Sequence, residues 1–465
     1  AAGLPVDGIN LSMVNKMMEE QMPIDKTSLN QMYQLVQDNK DINVTTLVEL
    51  KRLGIEINQV NAAQFENYAN DKQAITIAMD SLIDELPNAL SAEDLSMYKL
   101  VTQARDILNI VTEGLPEEAF ISSEASDMSQ YEAIMRDNQS APVVKKHFNI
   151  TELFESLNSV SGESQDIHTT QKINDAPAID TILLQENETK SNTIGFLLSD
   201  KQIEELNEQV RMLLPNLQEN NISLYSEDSS VVGILNDIKS MLENTPANAD
   251  TLRHLFSGEA FKLMLKEALE QQWMIKPGDL EKNPKKLDGL YDKIEKQITN
   301  MEIILKTSGV VNPKAEALAD NIRGNIEFMN QINEAYTYVQ VPLKMNEKNA
   351  SGQLYVYTNK KSMSNPDKEL SAFLHLDLEH LGGTDVSIKM LHRKVTTNFY
   401  LDSDESYALV KQFLPVLEKR LQDKGYNCEL NVNSDSKQMN FVAGFLKKDL
   451  PPTGQVHRYS FDIRA

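Results

Sequence analysis

The sequence predicts an α+β fold: mainly α-helical N-terminal and middle regions, then a C-terminal domain with a mixed or antiparallel sheet and one principal helix. Three observations predict it. Up to about Tyr336, apolar residues recur at the spacing that lines one helix face, most cleanly in Leu287, Leu290, Tyr291, Ile294, Ile298, Met301 and Leu305. Beyond Val339 the period falls to two, the signature of half-buried strands. Charge divides at nearly the same place, with 28 basic and 54 acidic side chains before Val341 and 17 and 15 from there on.

Residues 9 to about 135 read as short helices joined by polar turns. Leu29, Met32, Tyr33 and Val36 form one apolar stripe after Asp25 and Thr27; Phe65 with Tyr68, and Ile75, Met79, Leu82, Ile83 and Leu86, form others, with Pro87 and Pro116 as punctuation. Ile24-Asp25 and Ile57-Asn58 open two similar stretches, each with Gln seven residues on (Gln31, Gln64) followed by Met32 or Phe65. Two loose copies suggest a duplicated helical hairpin rather than a solenoid. From about Asn158 to Asn192 the chain is rich in Ser, Thr, Asn, Gln and acid, which is linker composition.

Helical periodicity then returns. Ser199 and Gln202 form a capping box ahead of Ile203, Leu206, Val210 and Leu213. Val231, Leu235, Ile238 and Leu242 continue it, and one segment opened by Asp250 carries Leu252, Leu255, Phe256, Leu265, Leu269 and Trp273. Lys276-Pro277-Gly278 is a break. Pro313 stands near the start of the last helix, where a missing N–H costs little. The division that follows is a helical N-terminal domain over 1–140, a polar linker over 141–195, a helical bundle over 196–338 and an α+β domain over 339–465.

In that last domain Leu354 and Val356 alternate with Tyr355 and Tyr357. Ala372, Leu374, Leu376 and Leu378 alternate with Phe373, His375 and Asp377; Val386, Ile388 and Met390, and then Val395, Thr397, Phe399 and Leu401, follow the same rule. Gly382-Gly383 and His392-Arg393 punctuate these runs, so a three-stranded meander is expected. Val410, Phe413, Leu414, Leu417 and Leu421 then predict a helix, acidic at its start, basic at its end, stopped by Gly425 and bent at Pro415. Cys428, Leu430 and Val432 predict a further strand, and Met439, Phe441, Ala443 with Tyr459, Phe461, Ile463 two more.

This order resembles the C-terminal domain of flagellar hook-length control proteins (FliK-like). The residues that carry the resemblance are Leu376 to Gly382, Asp385 to Ile388, Val395 to Leu401 and Leu414 to Gly425; Leu378 stands where the commonest form of the pattern has proline. The resemblance implies a non-enzymatic interaction protein whose C-terminal domain engages the cytoplasmic domain of the flagellar export gate and switches export from hook to filament subunits. It also implies a cytoplasmic protein exported through the flagellar type III channel, with hook or hook-cap proteins as further partners. Leu381 and Gly382, by their place in the motif, are the candidate partner-binding residues. The alternative is a cytoplasmic or envelope scaffold that binds a protein through its helical bundle.

Composition and motifs exclude much else. The net charge of −24 opposes phosphates and anionic lipid, so neither nucleic acid nor membrane insertion is expected, and no apolar run reaches a membrane-spanning length. GxxxxGK[ST], GxGxxG and GxSxG are absent, so no cofactor or catalytic residue is assigned. His375, Asp377 and His380 come nearest to a metal set, but they lack a fourth ligand, and a solvated strand face is the preferred reading. Cys428 reads as a small buried core residue, and Trp273 as core.

Overall fold

In the computed structural model the chain is described over residues 3–91, 93, 95–115, 193–213, 223–244, 248–282, 284–287, 289–309, 312–335, 337–345, 348–357, 369–378 and 380–433. The expected linker as far as Asn192, Pro116 and the two strands expected after Asn433 lie outside these residues. The chain forms two compact units, one made of Ala1–Ala74, Gly324–Gln340 and Ser351–Ala465, the other of Ile75–Arg323 and Val341–Ala350.

The first unit opens with four short helices: α1 (Gly8–Glu19), α2 (Lys26–Asp38), α3 (Val44–Leu53) and α4 (Gln59–Ala69). Each starts on a side-chain cap. Asp7, Asp25, Asn43 and Asn58 accept hydrogen bonds from backbone N–H groups two or three residues on, satisfying donors that a helix start leaves open. The residue before each cap is Val6, Ile24, Ile42 or Ile57, so the apolar residue and cap read at two places in the sequence occur at four, although the Gln seven residues on does not. Met13, Met17, Met32, Leu47, Leu50 and Phe65 fill the space between these helices. Unbranched Met side chains suit such irregular packing.

The second unit is helical. It holds α5 (Ile75–Leu90), α6 (Met97–Thr112), α7 (Ile194–Leu197), α8 (Asp200–Leu213), α9 (Val231–Asn244), α10 (Ala249–Ser257), α11 (Glu259–Trp273), α12 (Pro277–Lys282) and α13 (Leu290–Ser308). The next helix, α14 (Pro313–Ala335), begins here. Two punctuation marks read differently in the structure. Pro87 lies buried inside α5, where flanking Leu82, Ile83, Leu86 and Leu90 are all in the core and their burial outweighs the lost backbone bond. The segment from Asp250 to Trp273 is two helices, because Gly258 takes an extended conformation that closes α10 and opens α11. The Gln202 side chain does accept from the Ser199 N–H at 2.9 Å, completing that half of the box. Helix α6 packs against α9 and α13, and α11 against α5, α8 and α9. Trp273 is fully buried, its Nε1 donating to Gln297 at 2.7 Å.

The sheet has six strands in sequential order: β1 (Thr337–Met345), β2 (Lys348–Val356), β3 (Leu370–Leu378), β4 (Gly382–Leu391), β5 (Lys394–Leu401) and β6 (Asn427–Asn433). β2 to β5 pair antiparallel and β6 joins β5 in parallel, after a crossover through α15 (Asp404–Asp423). The expected α+β architecture is therefore present, with a mixed sheet and one principal helix in its C-terminal part. β1 has no period-two pattern because eight consecutive residues, from Thr337 to Lys344, are buried. Covering both faces erases the alternation.

Candidate functional site

Register explains the two faces of the C-terminal sheet. One face carries the cross-strand rows Leu354, Leu374, Val386, Phe399, Val432 and Ala372, Ile388, Thr397, Leu430. Helix α15 packs beside β5 and β6, with Val410, Leu414, Leu417 and Leu421 half-buried. The helix continues through Pro415, which is exposed, and ends as its C-terminal pattern predicts. Gly425 has φ +85°, and Tyr426 N–H returns to the carbonyl of Leu421 at 3.0 Å. Leu409, Phe413 and Val416 lie on the outer side of α15 and remain exposed.

The other face is polar and aromatic, with the rows Tyr355, Phe373, Ser387, Asn398, Asn431 and Gln353, His375, Asp385, Tyr400, Asn433. Rings run in sequence from Phe328 through Tyr68, Tyr338 and Tyr355 to Phe373, with successive centroids 5.0, 5.7, 5.0 and 6.0 Å apart. Buried polar groups among them are joined. Tyr68 donates to Asn325 at 2.9 Å, the Gln340 amide donates to Tyr68 at 2.8 Å, and the Gln73 amide donates to Gln353 at 2.9 Å.

His375 sits on this face, its Nδ1 2.5 Å from Asp385 Oδ1 on the neighbouring strand. Burial disfavours its charged form, but the hydrogen bond and charge of Asp385, helped by Asp377 and Asp71, raise its pKa above the ordinary histidine value. Asp71 is itself raised by burial, with the His375 charge opposing. Of the residues read from sequence as the nearest thing to a metal set, Asp377 is exposed and His380 lies exposed in the following turn. Among the described residues no group of three or more His, Cys, Asp or Glu side chains could hold a metal ion. Asp385 and Asp71, which act on His375 beside Asp377, come from outside β3.

The β3–β4 turn holds the candidate residues Leu381 and Gly382. Gly382 pairs with Leu378 and so begins β4 instead of separating the strands. Its φ of +67° is the left-handed conformation that favours glycine. Next to it, a Cβ on Gly383 would lie 2.7 Å from Asp402 Oδ2, the oxygen that accepts the Gly383 N–H at 3.1 Å. One residue on, the Ser403 side chain caps α15 by accepting from the Ser406 N–H at 3.1 Å. Ser406, the buried residue of the helix's first turn, donates its hydroxyl to the Leu381 carbonyl at 3.1 Å. The turn is thus fastened to the helix start from both sides, while the Leu381 side chain stays half-exposed. Sequence patterning located the turn; Asp402 and Ser406 gave no signal beyond an acidic, serine-bearing helix start.

Cys428 is half-exposed, contrary to its reading as a buried core residue, because β6 is the outermost strand among the described residues and its covered face is only partly screened by α15. Burial and the nearby Glu418 charge push its thiol pKa up, so it is not activated.

No curated protein and no solved structure matches the chain. Residues 358–441 match the family model described as flagellar hook-length control protein FliK, and the segment holding β3, β4, β5, α15 and β6 is thereby a FliK-like C-terminal domain.

Proposed function

We propose that this chain controls flagellar hook length, and that its C-terminal domain does so by contacting the cytoplasmic domain of the flagellar export gate and switching the exported substrate. The observation that carries this reading is the coincidence of the family match over 358–441 with the turn and helix just described. A pre-fixed turn presents Leu381 without an ordering cost on binding, since the hydrogen bonds from Ser406 and to Asp402 already hold it. The exposed residues Leu409, Phe413 and Val416 of α15 offer further apolar area on the helix whose first turn is tied to Leu381. No step of bond-making is required of such a protein. Transit through the export channel, with hook or hook-cap proteins as further partners, belongs to the same reading.

The test is genetic and structural together. Deleting the gene in its own flagellated cell should give hooks of uncontrolled length without filaments, and restoring the full chain should return a narrow length distribution. Normal hooks in the deletion strain would overturn the reading.

A further inference from the structure

The second unit contains a cleft of 530 Å³, within the range of about 300–1,000 Å³ common for small-molecule sites. Its lining is unexpected in so acidic a chain, since Lys276, Lys286, Lys293 and Lys344 all face it, against the carboxylates Glu270 and Asp279. Lys344 is structural, being nearly buried between Glu267 and Glu270. Lys286 reaches Asp279 at 2.5 Å. Lys293 is half-buried on α13 and makes no ion pair among the described residues. Burial and the charge of Lys286 both work against its protonated form, with Glu113 opposing. An anion entering the cleft would relieve that repulsion.

We propose that this cleft binds a small molecule bearing several phosphate groups, held by Lys276, Lys286 and Lys293. The choice of phosphate follows from the donor set. Among the described residues, four lysines and no arginine line the cleft. Ammonium groups act as point charges that bind phosphate oxygens without a fixed planar orientation, and several of them together suit the multiple charges of linked phosphates better than the single charge of one carboxylate. The apolar share of the lining, Leu115, Met274 and Leu290, offers no aromatic ring to stack a base, so the phosphates supply the recognition.

Isothermal titration calorimetry of the full chain with sodium tripolyphosphate at low ionic strength tests this. Saturable binding of one equivalent is expected, weakened about tenfold by Lys293→Met and by Lys286→Met, the order set by one charge-assisted contact. Lys411→Met, on the exposed face of α15, should change nothing. Lys286 is exposed, so its variant keeps the test valid should Lys293→Met unfold. Absence of saturable binding, equal weakening by Lys411→Met, or tighter binding of hexaglutamate than of tripolyphosphate would each overturn the proposal.

Discussion

The Ser406 hydroxyl donates to the Leu381 carbonyl at 3.1 Å, tying the first turn of α15 to the turn between β3 and β4 across 25 residues of chain. Losing that bond leaves a carbonyl short of a partner, so Ser406→Ala should cost about 1 kcal/mol. Gly382→Ala should cost about 1–2 kcal/mol, because the left-handed backbone at that position opposes a Cβ. Urea denaturation read by circular dichroism checks both, with Leu381→Ala expected to fall closer to wild type, since its side chain is only half-buried.

The Tyr68 hydroxyl lies at the centre of a buried network with Asn325 and Gln340. Tyr68→Phe keeps the ring contacts and leaves two amide groups underpaired, at a cost of about 1–3 kcal/mol. The same denaturation measurement reads it.

Lys16, Glu20, Glu49 and Arg52 form a charge network between α1 and α3, with contacts of 2.8 to 3.0 Å. Burial alone would raise the Glu20 pKa; hydrogen bonds with Lys16 and Glu49 and the charges of Lys16 and Arg52 bring it to about 2, below the ordinary 4.5. A depressed carboxylate contributes stability that is complete above its unfolded value and is lost as pH falls through the folded one. Stability should therefore decline between about pH 4.5 and pH 2, and Glu20→Gln should flatten that part of the curve. Glu49→Ala, which leaves Lys16 and Arg52 to share Glu20, should cost about 1–3 kcal/mol.

His375 gives the opposite sign. Its folded pKa lies above the ordinary 6.5, so its contribution is full below that value and lost as pH rises through the folded pKa. The titration of the His375 ring followed by NMR should move down in Asp385→Asn, and the loss of stability above pH 6.5 should shrink in His375→Gln.

What the sequence made legible was local. The stripes of α8 and α13, the meander of β3 to β5, the stop at Gly425 and the turn at Leu381 each rest on neighbours a few residues away. The rest depends on distance along the chain. β1 hides from pattern reading because both its faces are covered, so Tyr338 and Gln340 are as buried as Val339 and Val341. Asp71 meets the His375 field only because the chain after α4 and β3 share one unit, and Gly383 meets Asp402 only because β4 and β5 pair with Thr384 opposite Leu401. Pro87 and Gly258 show the same limit from the other side, since packing decided whether each breaks a helix.

We propose that the FliK-like domain contacts the export gate through the turn at Leu381 and Gly382. The most direct measurement is calorimetric titration of the full chain with the cytoplasmic domain of the gate from the same cell, beside the Leu381→Ala variant after its fold is verified by circular dichroism. Saturable binding by the wild-type chain that weakens about tenfold in the variant is the expected result. No binding by the folded wild-type chain, or equal binding by both, would contradict it.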